Sequence, residues 1–251
     1  MHEKFRIVPY REHPQYVSQA LSFEAESFPK YIEEDAVWAD ISPHFYDEFA
    51  DFQFFVVDET NHQLVGVCNC VPFNWSGDPD QLPSYHQMLT DALKDWRAGR
   101  QANTLSPVQA IINPVYRGQG VSQLIFAEAA RLSRAQRMTS VMVAVRPTLK
   151  DQYPLVPIEE YARWRRSDGQ LFDPWLRAQE RIGSEMIKPV AASTVIEGAI
   201  ADWERWTGMK FPASGEYWLP GGLSTLTIDL ENNIGRHCEP HVWYRLSGDD
   251  A

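Results

Sequence analysis

The stretch from residue 105 to residue 137, LSPVQAIINPVYRGQGVSQLIFAEAARLSRAQR, constrains the fold more than any other part of the sequence. Residues 107–113 are apolar enough to form a buried strand, which Pro114 ends because proline cannot donate to a sheet ladder. Residues 121–137 carry apolar side chains at helical spacing. The apolar run 139–145 follows after a short link, so the sequence predicts a strand–helix–strand unit in which the two strands pair in parallel.

The turn between the first strand and the helix is rich in glycine and reads Arg117-Gly118-Gln119-Gly120. Glycine lets the backbone bend sharply and lets another molecule approach it closely. The helix that follows presents unpaired N–H groups and the positive end of its dipole, so the pattern predicts an anion site, typically for a phosphate. A nucleotide P-loop or a dinucleotide site does not fit, because Gly-Lys-Ser/Thr and GxGxxG are both missing. An ordinary strand–helix turn is the alternative.

Composition excludes several classes of protein. The 251 residues carry a formal net charge of −11, which argues against broad nucleic-acid binding because such proteins need a positive footprint. The first 14 residues have no apolar signal core, and no run approaches the roughly 18 apolar residues of a membrane span. We therefore expect a soluble, cytoplasmic protein that does not bind membranes.

Three cysteines are too few for a disulfide framework, and their odd number suits a reducing compartment. Cys68 and Cys70 fall in a strand-like run, where alternation places both thiols on one face. A zinc site would need more ligands at suitable spacing, so we expect no metal and a structural role for these thiols.

The remaining periodicities predict one α/β domain over residues 1–251. Residues 74–103 interrupt the strand pattern and are interpreted as an insertion or lid, and the half after residue 145 is an extension. Two runs separated by turn residues, 52–58 and 64–73, predict an antiparallel hairpin. The other predicted strands are 5–10, 186–196, 223–230 and 241–246, and the other predicted helices are 14–27, 85–97, 158–166, 174–182 and 199–206, with 33–49 helical or irregular.

The segment INPVYRGQGVSQLI resembles the acyl-CoA-binding signature of the GCN5-related N-acetyltransferase (GNAT) superfamily. That signature is Arg or Gln, two residues, Gly, one residue, then Gly or Ala; here it falls on Arg117, Gly120 and Ser122, the last being a departure. The later run EEYARWRRSDGQLFDPWLRAQERIG resembles superfamily members linked to carbon–nitrogen hydrolases. The resemblance implies a mixed central β-sheet with a splayed parallel strand pair, flanked by helices on both faces.

The resemblance also implies acetyl-CoA or another acyl-CoA as co-substrate, without a metal. Backbone N–H groups at the turn would bind the pyrophosphate, and the pantetheine arm would lie in the splay and hydrogen-bond the strand. A backbone N–H near the thioester carbonyl would stabilise the oxyanion. The implied cofactor-binding residues are Ile111, Ile112, Arg117, Gly118, Gln119, Gly120, Val121 and Ser122.

Catalytic residues are less clearly marked than the donor site. The tyrosine that protonates the leaving thiolate in many members is not evident here, and Tyr161 or Tyr153 could replace it. Carboxylates and histidines can act as general bases. The candidates are Glu24, Glu26, His86, Glu239 and His241, with His241 preferred.

The sequence thus predicts an N-acyltransferase that moves an acetyl or other acyl group directly from acyl-CoA to a small-molecule amine. Two alternatives remain open. One is a thioester decarboxylase or S-acyltransferase, and the other is a non-catalytic coenzyme A sensor. A homodimer is a possible assembly.

Overall fold

The computed structural model describes residues 4–246, except for the side chains of residues 24–26. The strands are β1 (Phe5–Pro9), β2 (Phe54–Asp58), β3 (Gln63–Phe73), β4 (Thr104–Ile112), β5 (Ser140–Val145), β6 (Glu185–Gly198), β7 (Gly215–Tyr217), β8 (Leu226–Asp229) and β9 (Ile234–Arg245). The α-helices are α1 (Val17–Ser27), α2 (Ala36–Ile41), α3 (Tyr85–Arg97), α4 (Val121–Ala135), α5 (Ile158–Tyr161), α6 (Pro174–Arg181) and α7 (Ile200–Thr207).

All the strands of the described range join one mixed sheet, in the order β1-β2-β3-β4-β5-β9-β8-β7, with β6 paired to the other edge of β9. Every pairing is antiparallel except β4 with β5. The predicted hairpin is confirmed as β2 and β3, and the predicted strand–helix–strand unit is confirmed as β4, α4 and β5.

The parallel pair β4 and β5 is joined at one end only. Thr104 pairs with Ser140 and Leu105 with Val141, and the ladder stops there although both strands continue. Beyond Leu105 the strands therefore splay, and β4 keeps its ladder with β3 on the other side. A bulge at Val108 shifts that ladder, since Asn69 is opposite Gln109 while Cys70 is opposite Pro107. The splay opens at the glycine turn and exposes one backbone edge of β4.

Helices cover both faces of the sheet. Apolar residues of α1, such as Ala20, pack with Val67 and Ile111 on one face. On the other face, Ile125 of α4 packs close to Gly66 of β3. A Cβ added at Gly66 would lie 3.7 Å from Cδ1 of Ile125. The thiols of Cys68 and Cys70 lie on one face as predicted, 3.6 Å apart in the core.

The segment 74–103 contains α3, whose apolar face is part of the main core. Met88, Leu89, Ala92 and Leu93 are buried with residues of β3 and β4. The helix is amphipathic and begins at Ser84, whose hydroxyl accepts the Gln87 N–H. An α-helix that buries one face in this way is a structural layer, so the expectation of a lid is not supported by its packing.

The half after residue 145 is built around the long strand β9. Its one edge pairs with β6 over almost its full length, and its other edge pairs first with β8 and then with β5. Three predictions here were wrong in extent. The helix expected over 158–166 is the four-residue α5, since residues 162–173 turn and form an isolated bridge. The strand expected over 241–246 is the longer β9, and β8 is shorter than 223–230.

Candidate functional site

One large cavity runs from the glycine turn, along the splay, to β9. Its volume is about 1440 Å³, which exceeds the roughly 300–1,000 Å³ of ordinary small-molecule pockets. The turn lines one end, the open edge of β4 lines the middle, and side chains after β5 and on β9 line the other end. The cavity therefore has room for a long ligand and a second molecule beside it.

The glycine turn needs glycine at two positions. Gly118 has φ of 75° and Gly120 has φ of 85°, values that place both in the left-handed region that disfavours a Cβ. Gly120 is also the N-cap of α4. The N–H groups of residues 118–122 have no hydrogen-bond partner among the described residues. They form an anion cradle at a helix N-terminus.

The side chains at this turn hold its shape. Arg117 is exposed, and its Nε donates to the Ile112 carbonyl at 3.3 Å. The Gln119 amide donates to the Val115 carbonyl at 3.0 Å and accepts from Lys4 Nζ at 3.3 Å. Ser122 adds a small, half-buried side chain in the first turn of α4.

The open edge of β4 presents alternate backbone groups to the splay. The Asn113 N–H donates to the Val65 carbonyl at 2.9 Å, so residues 113 and 111 direct their backbone groups toward β3. Ile112 and Ala110 therefore direct theirs toward the cavity. The sequence predicted this role for Ile111 and Ile112; Ile111 lines the cavity, but its backbone belongs to the β3 ladder.

Helix α6 forms the wall opposite β4. Asp173 caps it by accepting the N–H groups of Trp175 and Leu176, and Pro174 occupies its first turn. The residues of this wall that line the cavity are Pro174, Trp175, Arg177, Ala178, Arg181 and Ile182. The guanidinium groups of Arg177 and Arg181 add positive charge to the wall.

Glu239 lies at the inner end of the cavity within a network of donors. Its carboxylate accepts from Arg146 Nε at 3.0 Å and from His237 Nε2 at 2.7 Å, with the Tyr31 hydroxyl at 3.4 Å. Burial alone would raise the pKa of Glu239, but Arg146 and His237 outweigh it and hold the pKa well below its usual range. Glu239 is therefore a fixed negative charge, and both of its oxygens already accept hydrogen bonds from protein donors.

His241 lies two residues further along β9 and on the same face as Glu239. It is 7% exposed and stacks on Tyr85, with ring centroids 5.1 Å apart. Burial lowers the pKa of His241 to about 4, and the charge of Glu239 offsets this only in part. His241 thus lines the cavity as a neutral ring, and its buried Nδ1 has no hydrogen-bond partner among the described residues.

A second acidic group lines the same end. Asp35 is buried, caps α2 through Val37 N–H, and accepts from His86 Nε2 at 2.7 Å. His86 Nδ1 accepts the Val195 N–H at 3.3 Å, which leaves the proton on Nε2 and makes the ring neutral. Glu33 is exposed at the mouth of the cavity. His86 is consequently a structural partner of Asp35.

Tyr161 lies outside the cavity. It is buried among Tyr153, Trp164 and Phe172, and its hydroxyl donates to Asp173 Oδ2 at 2.9 Å. Tyr153 belongs to the same aromatic cluster. We therefore leave both tyrosines out of the proposed site. The side chains of Glu24 and Glu26 lie outside the described part of the chain.

Three cavity residues were not found from the sequence. Arg146 follows β5, Asp35 precedes α2, and Tyr85 begins α3, where its hydroxyl donates to the Val108 carbonyl at 2.9 Å. The only local signal was for Arg146, which is a charged residue at the end of an apolar strand. Among the described side chains, which leave out those of residues 24–26, no group of three or more His, Cys, Asp and Glu could hold a metal, and no described helix is long and apolar enough to cross a bilayer.

The splayed parallel pair, the bulge in β4 and the glycine turn at the start of α4 define the fold of the GNAT superfamily. Two solved structures share it: the loading GNATL domain of CurA from Lyngbya majuscula (TM-score 0.58, 14% identity, 97% of each chain) and a GphF GNAT-like decarboxylase in complex with isobutyryl-CoA (TM-score 0.54, 13% identity, 94% of this chain and 99% of that one).

In sequence, the chain is similar to the arginine N-acetyltransferase avaD of Aspergillus versicolor. The two are 26% identical over 219 residues, which cover 78% of this chain and 76% of the relative. No protein-family model matches the chain. The chain therefore has the GNAT fold and is similar in sequence to one N-acetyltransferase, while its resemblance to members linked to carbon–nitrogen hydrolases stays a prediction.

Proposed function

We propose that the protein is an acyl-CoA-dependent N-acyltransferase that transfers an acetyl or other small acyl group to an amine. One observation carries the proposal. A single cavity joins the free N–H groups of the glycine turn, the open edge of β4 and the ring of His241. The first two suit a phosphate-bearing, amide-containing arm, and the third suits a proton acceptor at the far end of that arm.

In this proposal the donor binds through backbone groups. The pyrophosphate of coenzyme A accepts from the N–H groups of residues 118–122, and the pantetheine amides pair with the open backbone of Ile112 and Ala110. The thioester carbonyl then lies near the bulge at Val108, where the outward N–H of Ala110 can stabilise a developing oxyanion. Arg177 and Arg181 lie on the opposite wall and favour an anionic ligand.

His241 is the proposed general base. The amine nitrogen attacks the thioester carbon, the C–S bond breaks, and the nitrogen gives one proton to His241, which passes that proton to the departing thiolate of coenzyme A. Burial lowers the pKa of His241 to about 4, which keeps the ring unprotonated at neutral pH and also makes it a weaker base than a free histidine. Glu239 remains ionised and fixes the charges around it.

The proposed acceptor is a small amine. Glu33 and Asp35 line the acceptor end, and carboxylates there favour a cationic substrate. The curated relative is an arginine N-acetyltransferase by name, so arginine is the first acceptor to test.

Transfer can be tested by incubating the protein with acetyl-CoA and a panel of amines and following free thiol and N-acetyl product. We expect a product that requires both substrates. Absence of acetyl-CoA binding by calorimetry at saturating ligand would remove the basis of the proposal.

The same assay separates the alternatives. Conversion of malonyl-CoA to acetyl-CoA without an acceptor would indicate a decarboxylase. Tight acetyl-CoA binding without turnover across the amine panel would favour a coenzyme A sensor. Affinities for acyl-CoAs of increasing length would fix the size of the acyl group.

A further inference from the structure

Arg146 occupies a position next to His241 at the acceptor end of the cavity. Val145, the last residue of β5, pairs with Val242 of β9, so the following residue is opposite His241. Both side chains line the cavity, and the Arg146 side chain is 23% exposed in an otherwise buried region. The register places the two residues opposite each other, with Cβ atoms about 4.5–5.5 Å apart, as for paired residues of neighbouring strands.

The Arg146 guanidinium is held in place through its Nε and Nη2 atoms. Its Nε donates to Glu239 Oε2 at 3.0 Å, and its Nη2 donates to Glu239 Oε1 at 3.4 Å and to the Gly221 carbonyl at 2.8 Å. Nη1 has no hydrogen-bond partner among the described residues. A planar fork fixed in this way presents its remaining N–H groups in one direction, which suits a carboxylate.

Glu239 has partners besides Arg146. Its Oε1 lies 2.7 Å from His237 Nε2 and 3.4 Å from both the Tyr31 hydroxyl and the Leu223 N–H. The carboxylate therefore does not depend on Arg146 alone, and Arg146 Nη1 is left without a partner among the described residues.

We infer that Arg146 binds the carboxylate of the acceptor, which makes the acceptor an α-amino acid, an inference that rests on the acyltransferase function proposed above. An α-amino acid carries its amine and carboxylate on one carbon. The adjacent places of His241 and Arg146 match that spacing, with the amine at His241 and the carboxylate at Arg146 Nη1. The reactive nitrogen is therefore the α-amino group.

The test uses matched pairs that differ in one charge: L-arginine with L-argininamide, L-lysine with L-lysinamide and L-phenylalanine with its amide. Each is titrated calorimetrically into the protein loaded with coenzyme A, so that no turnover occurs. In at least one pair we expect the amino acid to bind at least about tenfold more tightly than its amide. The reason is that the amide cannot form the charge-assisted hydrogen bond with Arg146. Arg146→Met should remove that difference, and Arg146→Lys should restore part of it.

Two further variants separate binding from folding. The double variant Arg146→Met/Glu239→Gln leaves no unpaired buried carboxylate, and it should lose the same preference. Arg163→Met replaces an exposed arginine outside the cavity and should keep it. Coenzyme A affinity of each variant reports whether the donor site is intact.

The outcomes are distinct. Equal binding of both members of every pair, binding of neither, or a preference that survives in Arg146→Met would overturn the inference. If Arg146→Met instead abolishes a preference for malonyl-CoA over acetyl-CoA, the carboxylate belongs to the acyl group and the acceptor assignment is wrong. Failure of the proposed function is seen separately, as loss of acetyl-CoA binding or of transfer to any amine.

Discussion

At the scale of single residues, the acceptor end depends on burial that changes what ordinary side chains can do. His241 and Glu239 are separated by one residue on the same strand, yet they take opposite roles. Glu239 is surrounded by donors and stays charged, whereas His241 stacks on Tyr85 and has a nitrogen without a partner. A strand period of two places both side chains on one face, and their neighbours on other elements decide the difference.

The role of His241 can be tested by His241→Ala. We expect kcat for transfer to fall by about 10²- to 10⁴-fold, the range for losing a positioned general base. Added imidazole should restore part of the activity by entering the space left by the ring. The affinity for acetyl-CoA should change little, because the proposed donor contacts are backbone groups at the other end of the cavity.

Tyr161→Phe is the control for His241→Ala. Tyr161 is a catalytic candidate in the sequence, and in the structure it lies outside the cavity. The change deletes a hydroxyl that donates to Asp173, which costs about 1 kcal/mol of stability. Turnover should stay close to that of the wild type. A large loss of kcat in Tyr161→Phe, with the fold intact by circular dichroism, would return this tyrosine to the active site.

The residues missed from the sequence share a physical reason. Asp35, Tyr85 and Arg146 are far apart in the chain, and each is ordinary in its local context as a helix cap, a first-turn aromatic or a strand end. Only the tertiary contacts bring them to one cavity with His241. The glycine turn could be predicted because its chemistry is local: backbone conformation and the helix terminus are both set by consecutive residues.

At the scale of elements, predictions succeeded where the periodic pattern was long and its ends carried turn residues. The β4, turn, α4 and β5 unit is such a case, as is the β2–β3 hairpin. The splay of β4 from β5 had no periodic signal and came only from the family resemblance. Helix α3 lies in the segment interpreted as an insertion or lid, and its residues Met88, Leu89 and Leu93 pack in the core.

Two glycine variants separate the conformation of the donor turn from general stability. Gly118 and Gly99 both have positive φ, 75° and 68°, and a Cβ at either would meet no atom within 4 Å. Each change to alanine should therefore cost a similar 1–2 kcal/mol, roughly, through backbone strain. Only Gly118→Ala should also weaken coenzyme A binding, by at least about tenfold, because it displaces the free N–H groups.

Chemical denaturation and calorimetry measure the two effects of these glycine variants independently. A Gly118→Ala protein that is destabilised but binds coenzyme A as tightly as Gly99→Ala would show that the phosphate lies elsewhere.

The contact between β9 and α7 predicts a further stability effect. A Cβ at Gly235 would lie 2.3 Å from Cδ1 of Trp203, whose ring is fully buried and donates to the Gly235 carbonyl. Because a large buried ring cannot move aside, Gly235→Ala should destabilise the protein by at least about 2 kcal/mol. Urea denaturation is the measurement, and an effect no larger than that of Gly99→Ala would contradict this packing.

At the scale of the whole molecule, β9 connects the two ends of the sheet to the site. It pairs with β5 beside the splay and with β8 and β6 in the second half of the chain. Tyr31 packs on Trp203 and donates to Glu239, on the same strand that carries His241. The proposed base His241 thus comes from the second half of the chain, and the glycine turn of the proposed donor site comes from the first half.

The burial of His241 makes the stability of the whole fold depend on pH. The pKa of His241 is lowered to about 4 by burial, with Glu239, Arg146, His86 and Asp35 as the charged or titratable groups that modify it. Since the folded pKa is lower than the unfolded value of about 6.5, the unfolded chain binds a proton that the folded chain does not, between about pH 6.5 and pH 4. The stability present above pH 6.5 is therefore lost as the pH falls through this window, by about 3 kcal/mol at most.

His241→Gln should flatten that dependence, because the titrating group is gone. His62→Asn replaces an exposed histidine whose φ of 57° asparagine tolerates, and it should leave the slope in place. The measurement is the free energy of unfolding from urea titrations at pH 7, 6 and 5, followed by tryptophan fluorescence. The lowered pKa of Glu239 acts in the same direction but only below about pH 4.3, where its ordinary titration begins, so it does not mask the effect of His241. Equal slopes for the wild type and His241→Gln between pH 6.5 and 5 would mean that this ring is not buried in its neutral form.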